Sequence, residues 1–268
     1  MLPLLLLASI GLRPFGATSA WAAGGSRPST AVVFVGGLGS TPVTTRAVFG
    51  PLASALRAEG GFDAQELLAF SYDPGSPAYL ASQTCQPLAT SSEHLASFVR
   101  NLHQEQHIEQ VILVGHSMGG VIALDAAASL LQDGDDASGG ASDAEQATPI
   151  VRRVVTVDSP LGGLSNLQRG LIADLWLGPC AAAADAAQRY VDRQWPATLA
   201  WRVENLLAHD VQVTVVANPA DLLLDLRQQQ VPNSGVNVVL QADDGGLSHS
   251  AALELPMAVA ELARLLLA

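Results

Sequence analysis

Five consecutive residues, Gly115-His116-Ser117-Met118-Gly119, carry the spacing G-x-S-x-G. The apolar run VILV precedes them and VIALDAAASLL follows, so a strand, a tight turn and a helix are expected in that order. Such a turn forces its serine into a strained backbone conformation, and the flanking glycines let strand and helix approach without side-chain clashes. The serine oxygen is then exposed above the sheet. The amide of the next residue, Met118, is aimed where negative charge develops when Ser117 attacks a carbonyl. A serine hydroxyl is a poor nucleophile until a base takes its proton, so a histidine held by a carboxylate has to accompany it. The chain offers six: His94, His103, His107, His116, His209 and His249.

The elements that must position these groups follow from composition and patterning. The chain has 268 residues, 49% of them hydrophobic and 14% charged, which is too apolar for disorder and ample for a buried core. Thirteen Lys and Arg against 25 Asp and Glu leave a net charge of −12. That balance argues against a nucleic-acid surface or a polybasic membrane anchor, since both need clustered cations. From residue 31 onward, short β-branched runs (31–35, 65–72, 111–115, 151–157, 211–217 and 236–241) alternate with helical stretches (48–59, 91–107, 119–131 and 255–267). Several runs are apolar throughout, as expected of a mainly parallel sheet with helices on both faces. One α/β domain over 23–268 is expected. Residues 132–149, rich in Asp, Gly, Ser and Ala, read as a solvated loop without calcium-loop spacing. Residues 161–210 are long for a crossover and begin at the carboxyl end of a strand, where open α/β sheets bind ligands; they read as a cap insertion. Residues 1–22 read as an export signal, with an apolar run of about eleven residues, short of the roughly 20 that span a bilayer, and Ala20-Trp21-Ala22 as an A-x-A site. No Lys or Arg precedes that run, so an uncleaved anchor stays open.

On these motifs the sequence resembles the α/β-hydrolase superfamily, in particular lipases and esterases with a GHSMG turn. The resemblance spans roughly residues 31–267 in element order, but only the turn and one glycine-rich loop match as motifs. The family draws the second half of its oxyanion hole from the loop after an early strand, here Gly36-Gly37-Leu38-Gly39, which implies the Leu38 and Met118 amides as the donors. Lipases commonly have His-Gly there; Gly36 stands in place of that histidine. A phosphate loop fits less well, because no lysine follows at the required spacing. The family order of serine, acid, histidine implies His249, between the last strand and last helix, as the base. It implies Asp221, four residues past the 211–217 run, as the acid, with Asp225 and Asp158 as the alternatives.

Cys85 and Cys180 fall in loops leaving carboxyl ends of strands, and in an exported protein a bridge pinning the cap is expected, with two free thiols as the alternative. The resemblance implies hydrolysis of carboxylic esters, of acyl lipids in particular, by an acyl-enzyme on Ser117. The chemistry calls for no metal or cofactor. The substrate would be a small-molecule or lipid ester, with transient contact to a lipid surface; no nucleic acid or protein partner is inferred. Three rivals share the motifs: an acyltransferase, an amidase or thioesterase, and a catalytically inactive binding domain of the same fold.

Overall fold

The computed structural model describes residues 29–137, 149–174, 178–240 and 248–268. The expected export signal at 1–22 lies outside them. Strands β1 (Thr30–Val35), β2 (Leu67–Ala69), β3 (Gln110–His116), β4 (Val151–Val157), β5 (Gln212–Ala217) and β6 (Asn237–Val239) form one sheet in the order β2-β1-β3-β4-β5-β6. Every neighbouring pair is parallel. The chain runs outward from β1 to β2, then returns past β1 to β3. The connections leaving β1 and β3 therefore diverge in opposite directions, and a crevice opens between their carboxyl ends.

Alternation along the strands splits the core in two. Val33, Val35, Leu113, Val154 and Val215 face one side, under helices α2 (Leu88–Gln106), α3 (Met118–Ala137), α5 (Ala181–Val191) and α6 (Trp195–Ala208). Val32, Phe34, Ile112, Val114, Val155 and Val216 face the other, under α1 (Pro42–Gly60), α8 (Ala251–Glu254) and α9 (Pro256–Leu267). With both faces covered, β1 and β4 are almost wholly buried, which is why they read as unbroken apolar runs.

Several boundaries differ from the sequence reading. Helix α1 starts at Pro42 rather than 48, because Thr41 caps it: the Thr41 hydroxyl accepts from the Thr44 amide, while the Thr44 hydroxyl accepts from the Thr41 amide. Helix α3 continues to Ala137, six residues into the stretch read as loop. The run 65–72 yields only a three-residue edge strand. Residues 161–210 hold α4 (Asn166–Ile172), α5 and α6, and α6 packs on α3 and β5 as the crossover helix into β5. A four-residue helix, α7 (Leu226–Gln229), follows β5. No helix among the described residues is long and apolar enough to cross a membrane.

Candidate active site

Ser117 sits between the end of β3 and the start of α3, at φ 54°. A non-glycine residue there is sterically strained, and the turn is held by the Ser117 amide donating to Val157 O at 2.9 Å. The close approaches need glycine. A Cβ on Gly119 would lie 2.1 Å from Val35 O, and one on Gly115 would lie 2.4 Å from Gly119 O. Met118 is the first residue of α3, so its amide has no carbonyl one turn back within the helix to bond.

The loop leaving β1 meets this turn: a Cβ on Gly37 would come within 2.7 Å of Ser117 Cβ. The Gly39 amide donates to Thr84 Oγ1 at 2.9 Å and the Ser40 amide to Gly37 O at 3.2 Å. A trans peptide points its C=O and N–H in opposite directions, so turning Gly37 O toward Ser40 turns the Leu38 N–H away from it. Among the described residues the Leu38 amide has no acceptor. Behind the loop, Tyr72 donates to Gly36 O at 2.6 Å, and Tyr79 shares hydrogen bonds with Ser40 (3.2 Å) and Thr45 (2.9 Å). Complete burial pushes the Tyr72 phenol far above its ordinary range, so it remains a donor.

Asp221 and His249, 28 residues apart, are joined at 2.7 Å between Asp221 Oδ2 and His249 Nδ1. The Asp221 side chain is fully buried, and its Oδ1 accepts the Leu223 amide at 2.7 Å and the Leu224 amide at 3.3 Å. These bonds leave Nδ1–H of His249 as the donor and Nε2 as the basic nitrogen. Nε2 is buried and has no hydrogen-bond partner among the described residues. Asp225, the first alternative acid, caps α7 instead, accepting the Gln228 amide at 3.0 Å. Asp158, the second, is fully buried at the end of β4 with φ 47°. Among the described residues its carboxyl oxygens make no well-formed hydrogen bond, the Asn218 backbone only approaching them. Burial first, and the Asp221 charge second, push its carboxyl up to about 8, the Asn218 backbone offsetting only part of this. Asp158 is thus a neutral acid beside the Asp221 charge at neutral pH.

One participant was not singled out from the sequence. His116 packs against His249, ring centroids 5.0 Å apart, and its Nε2 donates to His249 O at 2.9 Å. Burial, then His249, push His116 down to about 4, so it is neutral and keeps that proton for the carbonyl. The partners are 133 residues apart, and only its place beside Ser117 hinted at a role. The remaining histidines lie on α2 (His94, His103) or directly after α2 (His107) and α6 (His209). Cys85 and Cys180 are bridged, with Cα atoms 4.7 Å apart. Among the described residues no cluster of three or more His, Cys, Asp or Glu could hold a metal ion.

Comparison with solved structures finds the same fold. A lipase-esterase related protein from Clostridium acetobutylicum superposes with a TM-score of 0.57 at 17% identity, covering 90% of this chain and 96% of that one. A carboxylesterase structure from the thaumarchaeon Nitrososphaera gargenis gives 0.52 at 14% identity, covering 89% and 90%. A deformylase from Pseudomonas putida S16 gives 0.51 at 15% identity, covering 87% and 92%. At these identities the likeness is one of fold. No curated protein matches the chain in sequence. The alpha/beta hydrolase family matches residues 32–262, most of the chain, in agreement with the parallel sheet, and this chain belongs to that family.

Proposed function

We propose that the protein is a serine hydrolase of carboxylic esters. The observation that carries the reading is the Asp221–His249 pair, joined at 2.7 Å, with His249 packed on His116, the neighbour of the strained Ser117, and its Nε2 unpartnered among the described residues. In the reaction His249 Nε2 takes the Ser117 proton as the oxygen adds to the ester carbonyl. Asp221 holds the ring in its tautomer and stabilises the imidazolium. The Leu38 amide, without an acceptor among the described residues, and the Met118 amide, at the first position of α3, receive the oxyanion. Collapse of the tetrahedral intermediate expels the alcohol, which takes its proton from His249. Water then attacks the acyl-enzyme, losing a proton to the same nitrogen, and releases the carboxylic acid.

Of the 161–210 segment, α4 and α5, which pack on each other, are the part that supports the cap reading, since α6 packs on α3 and β5 as a crossover helix. The bridge tying Cys180 to Cys85 is in keeping with export to an oxidising compartment. The apolar residues around 171–178 support acyl lipids as the substrate class, although residues 175–177 lie outside the described structure.

Hydrolysis of p-nitrophenyl esters from acetate to palmitate, with Ser117→Ala in parallel, tests this. Activity that vanishes in the variant supports the mechanism, with a loss of about 10⁴-fold or more expected. A rise in rate with chain length supports a lipid substrate, and confinement to short chains makes the protein a general esterase. Equal inactivity of wild type and variant across the panel overturns the ester reading in favour of an amide substrate or a binding role.

A further inference from the structure

We propose that Thr84 is a positioning residue for the oxyanion loop, and that the Cys85–Cys180 bridge is what holds Thr84 in place. The proposal rests on the reading of Leu38 as an oxyanion donor. Thr84 is completely buried in the short 3-10 turn Ala81–Cys85. Its hydroxyl accepts from the Gly39 amide at 2.9 Å and donates to Ala81 O at 2.6 Å, so both its hydrogen and a lone pair are committed. Gly39, at φ +75°, is the one residue of the loop in the left-handed region, with open space where a Cβ would stand. Its peptide follows directly on Leu38. Fixing the Gly39 N–H on Thr84 fixes the plane after Leu38, while the Gly37–Ser40 hydrogen bond fixes the plane before it.

The turn that carries Thr84 is held on the β2 side, where Gln83 Nε2 donates to Asp73 Oδ2 at 3.1 Å and Gln86 Nε2 to Tyr72 O at 3.3 Å, but its covalent anchor leads away from the sheet. The next residue, Cys85, is covalently joined to Cys180, the residue that opens α5. Three residues further on, the Leu88 amide donates to Asp185 Oδ2 of α5 at 2.9 Å, capping α2. One continuous path therefore runs from α5 through the bridge to Thr84, to Gly39 and to the amide of Leu38. An amide that must meet a developing charge within hydrogen-bond reach loses its effect when its loop shifts, so the path acts on the transition state more than on substrate binding.

The test uses the full chain, well below its melting temperature. Thr84→Val keeps the shape and removes the hydroxyl; it is expected to lower kcat about tenfold with KM within about twofold. Thr84→Ser keeps the hydroxyl and should restore kcat. Replacing both cysteines by alanine should lower kcat similarly in the wild-type background and add little to Thr84→Val, since the two changes act along one path. An unchanged kcat in Thr84→Val overturns the proposal, as does a cysteine effect that multiplies in full onto Thr84→Val. Amide hydrogen exchange of Gly39, read by NMR, gives a measure that needs no substrate. It should quicken in Thr84→Val and in the cysteine variant while the amides of β1 stay protected, and unchanged exchange at Gly39 counts against the path. If the wild type turns over no ester, the ester reading alone falls, and the exchange data still decide the coupling.

Discussion

Asp158 holds a proton that an exposed carboxyl would have given up. Its folded value of about 8 stands against an ordinary 3.8, so between these values the folded chain binds one more proton than the unfolded chain. The stability this contributes is complete below about pH 4 and is lost as pH rises toward about 8. His116 works in the opposite sense: its value of about 4 against 6.5 makes stability rise with pH across that interval and stay level above it. The stretch from about pH 6.5 to about pH 8 therefore isolates Asp158. Asp158→Asn keeps the shape without an ionisable proton, so its melting temperature is expected to fall less across that stretch than the wild type's. Equal slopes in the two proteins would show that Asp158 ionises normally. The reason for tolerating such a residue lies beside it, since a charge at Asp158 would stand next to the carboxylate that orients His249.

Among the elements, α3, α5 and α6 are joined at one point. Asp125 on α3 accepts ion pairs from Arg189 on α5 and Arg202 on α6, and both guanidinium groups stand over the Trp195 ring, at 4.2 and 5.3 Å from its centre. Side-chain exposures of 10% for Asp125 and 16% for Arg189 leave the pair poorly screened by water. Asp125→Ala sets two cations against each other and is expected to cost about 2–3 kcal/mol, discounted from a fully buried pair because Arg202 is more exposed. Urea unfolding checks it, and a loss below about 0.5 kcal/mol would assign the three helices' cohesion to apolar packing alone. None of this was legible beforehand. Helix α5 begins with four alanines, whose uniform small size blurs the apolar periodicity that marks a helix, and the 161–210 segment read as a cap without internal elements. The strands were plainer, because burial on both faces leaves runs such as Val151–Val157 with few polar residues. Ser117 stood out through local spacing, and Asp221 and His249 through their order after it. His116 and Thr84 did not, since each acts through a partner distant in the chain.

For the molecule as a whole, the Cys85–Cys180 bridge closes a span of 95 residues. Loop entropy over that length predicts a stabilisation of about 4.7 kcal/mol relative to the double alanine variant, measurable by urea unfolding as a lower midpoint in the variant, with a steeper slope because its unfolded chain is more expanded. A midpoint that stays put would mean the bridge contributes nothing to stability. The span encloses β3 and β4, the two central strands, and with them Ser117 and Asp158; Asp221 and His249 come later in the chain. On the proposed mechanism, both cysteines and Ser117 thus precede either member of the pair that would activate the serine. The bridge can therefore close around Ser117 without either of them, so crosslinking and completion of the proposed site are separable events in folding.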